Sequence, residues 1–253
     1  MTFTEAVILA VVQGLTEFLP ISSSGHLVLA QHVLKMADPE RNLPFILLLH
    51  LSSLLAVFLY YGRKLWGLLS ARRELAYIVL ASIPIGVVGV LLGKKLEALQ
   101  SFPRLVCVML IVNGLFLYVS EKRGQGTQPI DEAPWWKALL VGIAQAIRLP
   151  GLSRSGSTIG TGWLCGISRG DAVRFSFFLS IPAVLGASGW KARHIQELNL
   201  PSAGVTITAF VLCFLLSLGS IRVVEVLAAG RHWRLFAIYS AVVGIAGLVW
   251  FSL

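Results

Sequence analysis

Apolar and polar positions along this chain separate into long blocks rather than alternating residue by residue. Nearly uncharged windows run from Leu43 to Tyr61, Leu75 to Leu92, Arg104 to Ser120, Phe175 to Trp190, Ala203 to Ile221 and Arg234 to Phe251. A helix of about 20 apolar residues reaches across a bilayer, so these six windows predict six spans. Thr2 to Leu19 predicts a further helix, ended by Pro20, and Ser24 to Met36 one too short to cross. The turn between them is polar. Helix, polar turn and short return helix predict a re-entrant hairpin, tolerated at membrane depth only where protein or a cavity buries it. The order then recurs: a helix from Trp135 to Leu149, a polar turn, and a short helix from Gly156 to Ile167 precede the last three spans.

Residue matches support a duplication. Ser22-Ser23-Ser24-Gly25 aligns with Ser153-Arg154-Ser155-Gly156 at a constant offset, and Phe45, Arg104 and Gly114 align with Phe175, Arg234 and Gly244 one residue closer. Three spans per half, an odd number, force the second half to insert upside down. The expected fold is therefore an all-α polytopic membrane protein. It forms a single membrane domain built as an inverted repeat, each half a re-entrant helix hairpin plus three transmembrane helices. Residues 1–122 form the first repeat, 123–134 a linker and 135–253 the second. The Gly, Gln, Pro and acidic residues from Glu121 to Pro134 predict a surface loop.

Composition agrees. The chain is 56% hydrophobic and 13% charged, with a mean hydropathy of +0.80; soluble domains carry about 25% charged residues. A net charge of +9 does not mark a nucleic-acid binder here, because the basic residues sit in short loops such as Arg63-Lys64 and Lys94-Lys95. Loop cations report topology and anionic headgroups. With outside termini, twelve Lys and Arg fall in inner loops and seven, Arg41 among them, in outer ones. No cleavable signal peptide is expected, since the polar motif follows the first apolar run directly. Cys107, Cys165 and Cys213 are dispersed and read as packing residues.

The candidate chemistry lies in the two polar turns, Gln13 to His26 (QGLTEFLPISSSGH) and Pro150 to Thr158 (PGLSRSGST). Polar groups inside membrane-grade sequence are costly and usually mark function. Gln13 and Glu17 share a helix face and suit a hard divalent cation completed by substrate oxygens. Ser22, Ser23 and Ser24 open a short helix; one serine suffices as a cap, and three make an anion site. His26, one helical turn on, can meet a serine hydroxyl, which permits either an activated serine or a general base acting on water. Arg154, between Ser153 and Ser155, offers a phosphate-matching fork. Arg148 is the counterpart of Glu17 and a candidate to pair with it, to add charge at the site, or to reach the interface. His50 reads as a helix-packing hydrogen bonder and Arg174 as a membrane boundary.

These residues resemble the BacA-type undecaprenyl-pyrophosphate phosphatase family. The resemblance rests on Gln13 to Glu17 followed by LPISSSGH, on PGLSRSGST, and on FSFFLSIPAVLGA after the second motif. It implies removal of the terminal phosphate of undecaprenyl pyrophosphate, with Glu17, Ser23, His26 and Arg154 as catalytic residues and a divalent cation, Mg²⁺ or Ca²⁺, held at Gln13 and Glu17. Ser22, Ser24, Ser153, Ser155, Gly156 and Thr158 are the expected substrate-binding residues. The lipid and the membrane are the expected partners, nucleic acid is not, and monomer and homodimer both stay open. The resemblance also implies a plasma-membrane location with the site facing outward, and roles in peptidoglycan synthesis, cell shape and bacitracin resistance. The chain departs from the family pattern at Gln13, at the short stretch from Gln145 to Pro150 that holds Arg148, and at Ser240, where an arginine is expected. The competing reading is a transporter or flippase of a polyprenyl phosphate lipid; binding alone needs no general base.

Overall fold

The computed structural model describes residues 1–36, 42–124, 126–193 and 200–252. Arg41, counted above with the outer cations, and Gln125 of the linker lie outside them. The described residues form ten α-helices: α1 (Phe3–Thr16), α2 (Ser23–Val33), α3 (Leu43–Leu68), α4 (Arg72–Ala98), α5 (Pro103–Arg123), α6 (Trp135–Ala146), α7 (Arg154–Leu164), α8 (Arg169–Ala192), α9 (Ala203–Ala229) and α10 (Arg234–Trp250). Among them the only strand-like pairing is an isolated bridge between Gln128 and Ile167.

Five helices are long and apolar enough to cross a membrane: α3, α4 with its 3₁₀ continuation to Ser101, α5, α8 and α9. The sixth expected span, α10, is apolar but has 17 residues, a length of about 26 Å. Several helices outrun the apolar windows: α3 reaches Leu68 and α9 reaches Ala229. Hydropathy marks the thickness of hydrocarbon, whereas the hydrogen-bond ladder continues through charged residues such as Arg63 and Lys64. The four hairpin helices behave oppositely. α1 stops at Thr16, short of Leu19, because Pro20 lacks an amide donor and bars helical geometry at the residue before it. α6 stops at Ala146 rather than Leu149, again ahead of a proline, Pro150. α7 ends at Leu164 and Gly166, at φ +83°, supplies the left-handed turn that closes it.

The linker lies at the surface as expected, with Thr127, Asp131 and Glu132 exposed, but it is pinned to the fold. Ile130 and Ala133 are fully buried, Gln128 N–H donates to Gly166 O, and Ser168 N–H donates to Gln128 O. The backbone of Gln128 pairs with the α7–α8 turn, while Ile130 and Ala133 enter the main core. Composition alone does not separate that from a solvated loop.

Helix packing relies on small residues, as expected where lipid removes the hydrophobic drive between helices. A Cβ on Gly114 of α5 would lie 2.6 Å from Ala237 O of α10, and one on Gly244 of α10 would lie 2.6 Å from Cys107 O of α5. The two helices therefore run antiparallel, each presenting its glycine to the other's backbone. Gly14 of α1 meets α9 at Cys213, and Gly142 of α6 meets α4 at Ala81, in the same manner. Serines add polar contacts on the first of these: Ser220 Oγ donates to Gly14 O (3.1 Å) and Ser217 Oγ to Ser53 Oγ of α3 (3.0 Å). They fix α1, and hence Gln13 and Glu17, against α9, and α9 against α3.

Candidate active site

Each polar turn is built by its own first serine. Ser22 Oγ accepts Gly25 N–H at 3.2 Å and Ser153 Oγ accepts Gly156 N–H at 3.0 Å, so each caps the short helix behind it. Ser22 sits at φ +71°, a conformation that costs a serine about 1–3 kcal/mol and that surrounding bonds must hold. The turns touch. A Cβ on Gly25 would stand 3.1 Å from Gly151 Cα, and one on Gly156 would stand 3.3 Å from Pro20 Cβ. Asn113, fully buried on α5, clamps them together: Nδ2 donates to Pro20 O (2.8 Å) and to Ser240 Oγ (3.2 Å), while Oδ1 accepts Ser153 N–H (3.0 Å). An uncharged Ser240 at this point therefore serves as an acceptor for the clamp.

Glu17, immediately after α1, is the centre of the arrangement and is 8% exposed. Arg154 Nη2 donates to its Oε1 at 2.9 Å. Ser23 Oγ donates to its Oε2 at 2.8 Å, and Gln13 Nε2 donates to the same oxygen at 2.9 Å. Arg154 Nη1 also reaches Ser176 O at 3.4 Å. Glu17, Ser22, Ser23, Ser24, Ser153 and Arg154 line one cavity of about 140 Å³, with His50, Gln145, Arg148 and Lys191 across it. The carboxylate, the hydroxyls and the guanidinium thus meet as the two motifs implied.

Of the roles left open for Arg148, an ion pair with Glu17 is not formed: Glu17 pairs with Arg154. Other expectations are corrected. His26 does not meet a serine hydroxyl: its Nδ1 lies 2.8 Å from Ser22 O and its Nε2 3.0 Å from Tyr239 Oη. A carbonyl only accepts, so Nδ1 carries a proton, and in the neutral ring Nε2 then accepts from the tyrosine. The imidazole thereby holds the carbonyl of the strained Ser22 and lies outside the cavity lining. Helical geometry makes that result natural, since the ring reaches back to the carbonyl four residues earlier more readily than to a side chain on the first turn. Ser155, Gly156 and Thr158 also lie outside the lining. Ser155 Oγ donates to Leu19 O (3.2 Å), and Thr158 Oγ1 shares a 2.6 Å hydrogen bond with Ser176 Oγ; they join the turns and α8. His50 does bond its own helix, at Ile46 O (2.8 Å), yet its Nε2 also faces Glu17 at 3.8 Å. Arg174 bridges Asp171 (2.9 Å) and Glu74 (3.3 Å).

Sequence reasoning did not single out Asn113, Ser176, Tyr239 or Lys191. For Asn113 a signal existed: an amide beside Gly114 in an otherwise apolar span. Among the described residues no three His, Cys, Asp or Glu side chains converge to hold a metal. The donor set nevertheless suits a hard cation that takes further ligands from a substrate. Gln13 Oε1 is buried without a hydrogen-bond partner, and three donors leave Glu17 about one of its four lone-pair positions.

Fold and site define a polytopic helical membrane protein with a buried carboxylate–arginine pair and a serine gathered in one cavity. The chain belongs to the family described as Bacitracin resistance protein BacA, which it matches over residues 6–246. It is 34% identical to an undecaprenyl-diphosphatase of Methanosphaera stadtmanae, covering 96% of both chains. It is 35% identical to one of Sulfurihydrogenibium sp., over 99% of this chain and 100% of the relative. It is 38% identical to one of Moorella thermoacetica, over 85% and 86%.

Proposed function

We propose that the protein hydrolyses undecaprenyl or a similar polyprenyl pyrophosphate to the monophosphate and inorganic phosphate, recycling the lipid carrier of cell-wall synthesis. The observation that carries this reading is the Ser23–Glu17–Arg154 chain inside the cavity. Binding a phosphate needs donors alone. A serine hydroxyl donating to a carboxylate that is itself fixed by an arginine is the arrangement of an activated nucleophile. In this reading Ser23 Oγ attacks the terminal phosphorus while Glu17 Oε2 takes its proton. The bridging P–O bond breaks and the lipid monophosphate leaves; water then releases phosphate from Ser23. Arg154 exchanges part of its hold on Glu17 for the charge that develops on the phosphate oxygens, as phosphoryl transfer requires. A divalent cation, Mg²⁺ or Ca²⁺, would be held by Glu17 and Gln13 and would supply further neutralisation of phosphate charge. Purified protein in detergent should release phosphate from a polyprenyl pyrophosphate, lose that activity with chelator and regain it with either ion. If it binds the lipid yet releases no phosphate under any metal condition, the flippase reading replaces this one.

The same reading takes the whole chain as one membrane domain of two inverted repeats, with re-entrant hairpins α1–α2 and α6–α7 and a site open to the outer face of the plasma membrane. Three observations support the repeat and its hairpins. Helices α1, α2, α6 and α7 have 14, 11, 12 and 11 residues, at most about 21 Å against a hydrocarbon core of about 30 Å. The equivalent helices α5 and α10 cross antiparallel through equivalent glycines. The contact of α1 with α9 has its counterpart in that of α6 with α4. Single cysteines at Ser70, Asp131 and Ser101, in a background with Cys165 replaced by serine, test the arrangement in intact cells. An impermeant thiol reagent should label Ser101→Cys and spare Ser70→Cys and Asp131→Cys. Labelling of only one of the latter two breaks the repeat; labelling of both with protection of Ser101→Cys inverts the orientation.

A further inference from the structure

The cavity continues into a second space of about 310 Å³ between α4 and α8. Arg148, Lys191, Gln100, Ala183 and Ala187 line both, so the two spaces adjoin. The second space is flanked by Gly86, Gly89 and Gly93 of α4 and Gly186 of α8, and a Cβ on any of the four would meet nothing within 4 Å. Side chains are missing on both sides of this space where a packed helix pair would place them. The second space is the more apolar of the two, which matches the polarity gradient of a lipid pyrophosphate.

Charge divides unevenly along this path. The ionisable Lys, Arg, Asp and Glu lining the two spaces are Arg148, Arg154, Lys191, Glu17 and Glu97. Arg154 is paired with Glu17 at 2.9 Å and Lys191 with Glu97 at 2.8 Å. Arg148 has neither an ion pair nor a side-chain hydrogen bond among the described residues, and it stands at the junction of the two spaces. Arg148 is exposed and lines both spaces, so its guanidinium is open to an anion that arrives with a ligand. Gln145, three residues before it and 1% exposed, lines the same cavity with both amide atoms buried and without a hydrogen-bond partner. Native proteins seldom leave such an amide unsatisfied, and a phosphate oxygen would satisfy it.

We infer that Arg148, with Gln145, binds the phosphate that remains on the lipid, and that the hydrocarbon chain runs from there into the glycine-flanked slot between α4 and α8. This rests on the pyrophosphatase reading and deepens it. Arg154 and Ser23 serve the phosphate that is transferred, and Arg148 the one that leaves with the product.

The two subsites respond to different inhibitors. With farnesyl pyrophosphate as a short substrate in detergent, Arg148→Ala should raise KM about 10- to 100-fold, the worth of a hydrogen-bonded charge, with kcat within about threefold. Inhibition by farnesyl monophosphate should weaken by a similar factor, while inhibition by inorganic phosphate, which needs only the Arg154 end, should not change. Arg148→Lys should recover most of the loss. Gly89→Leu, which fills the slot, should raise KM for farnesyl pyrophosphate and leave inorganic phosphate inhibition as it was. Unchanged KM and unchanged monophosphate inhibition in Arg148→Ala would overturn the assignment. If the parent protein releases no phosphate, the hydrolase reading fails separately. Equilibrium binding of farnesyl monophosphate to the parent and to Arg148→Ala then still decides the subsite, equal affinities overturning it.

Discussion

Glu17→Gln should lower phosphate release by about 10³ to 10⁴, the upper range for removing a general base, while lipid binding survives. The substitution keeps size and an acceptor oxygen for Ser23. It removes the charge that draws the Ser23 proton, the anion that pairs Arg154, and the carboxylate proposed for the cation. His26→Ala serves as the contrast. Its imidazole bonds Ser22 O and Tyr239 Oη rather than a reacting hydroxyl, so its loss should slow turnover by about tenfold or less, below the 10² expected of a lost base. Both variants need phosphate release measured beside the parent over neutral pH. Glu17→Gln within tenfold of the parent would remove Glu17 from the chemistry. A loss above a hundredfold in His26→Ala, with one limb of the pH profile gone, would return the base to His26.

The contrast between Glu17 and His26 shows where sequence is readable. Expense is legible: a carboxylate, an arginine and clustered serines in apolar sequence have to be gathered somewhere, and Glu17, Ser23 and Arg154 are indeed within hydrogen-bond reach as a chain. Partner choice is not legible. Spacing brought His26 near Ser22 and Ser23, but it does not say whether a ring nitrogen takes a hydroxyl or the carbonyl of a residue at positive φ. Repeat arithmetic set Arg148 opposite Glu17, yet the turn it stands in is one residue off the offset of its neighbours, and Arg154 reaches the carboxylate instead. The linker follows the same rule. Ile130 and Ala133 are two apolar residues in a polar stretch, and only the folded core shows that they are buried in it. Six apolar windows were plain from hydropathy, and five of them are helices long and apolar enough to cross a membrane. The helix ends were not, because they depend on Pro20, Pro150 and headgroup-zone cations rather than on hydrocarbon thickness.

Arg154→Ala should cost at least about 10³ in kcat/KM, since it removes the charged donor proposed for the transferred phosphate. It carries a second penalty. Glu17 is left buried without its counter-ion, and breaking such a pair from one side costs about 3–5 kcal/mol. Arg154→Lys should recover part of the stability but little of the rate, because an ammonium cannot hold the carboxylate and a phosphate with one planar fork. Loss of activity in Arg154→Ala alone therefore does not separate catalysis from folding, and the double variant does. Glu17→Ala combined with Arg154→Ala removes both charges, so unfolding in detergent should return most of the way to the parental temperature, a non-additivity expected for residues in contact. Phosphate release should stay at the level of the weaker single variant. Recovery of turnover along with stability in the double variant would mean that the pair only braces the two turns. The reacting phosphate would then have to be held by Arg148 and Lys191 across the cavity.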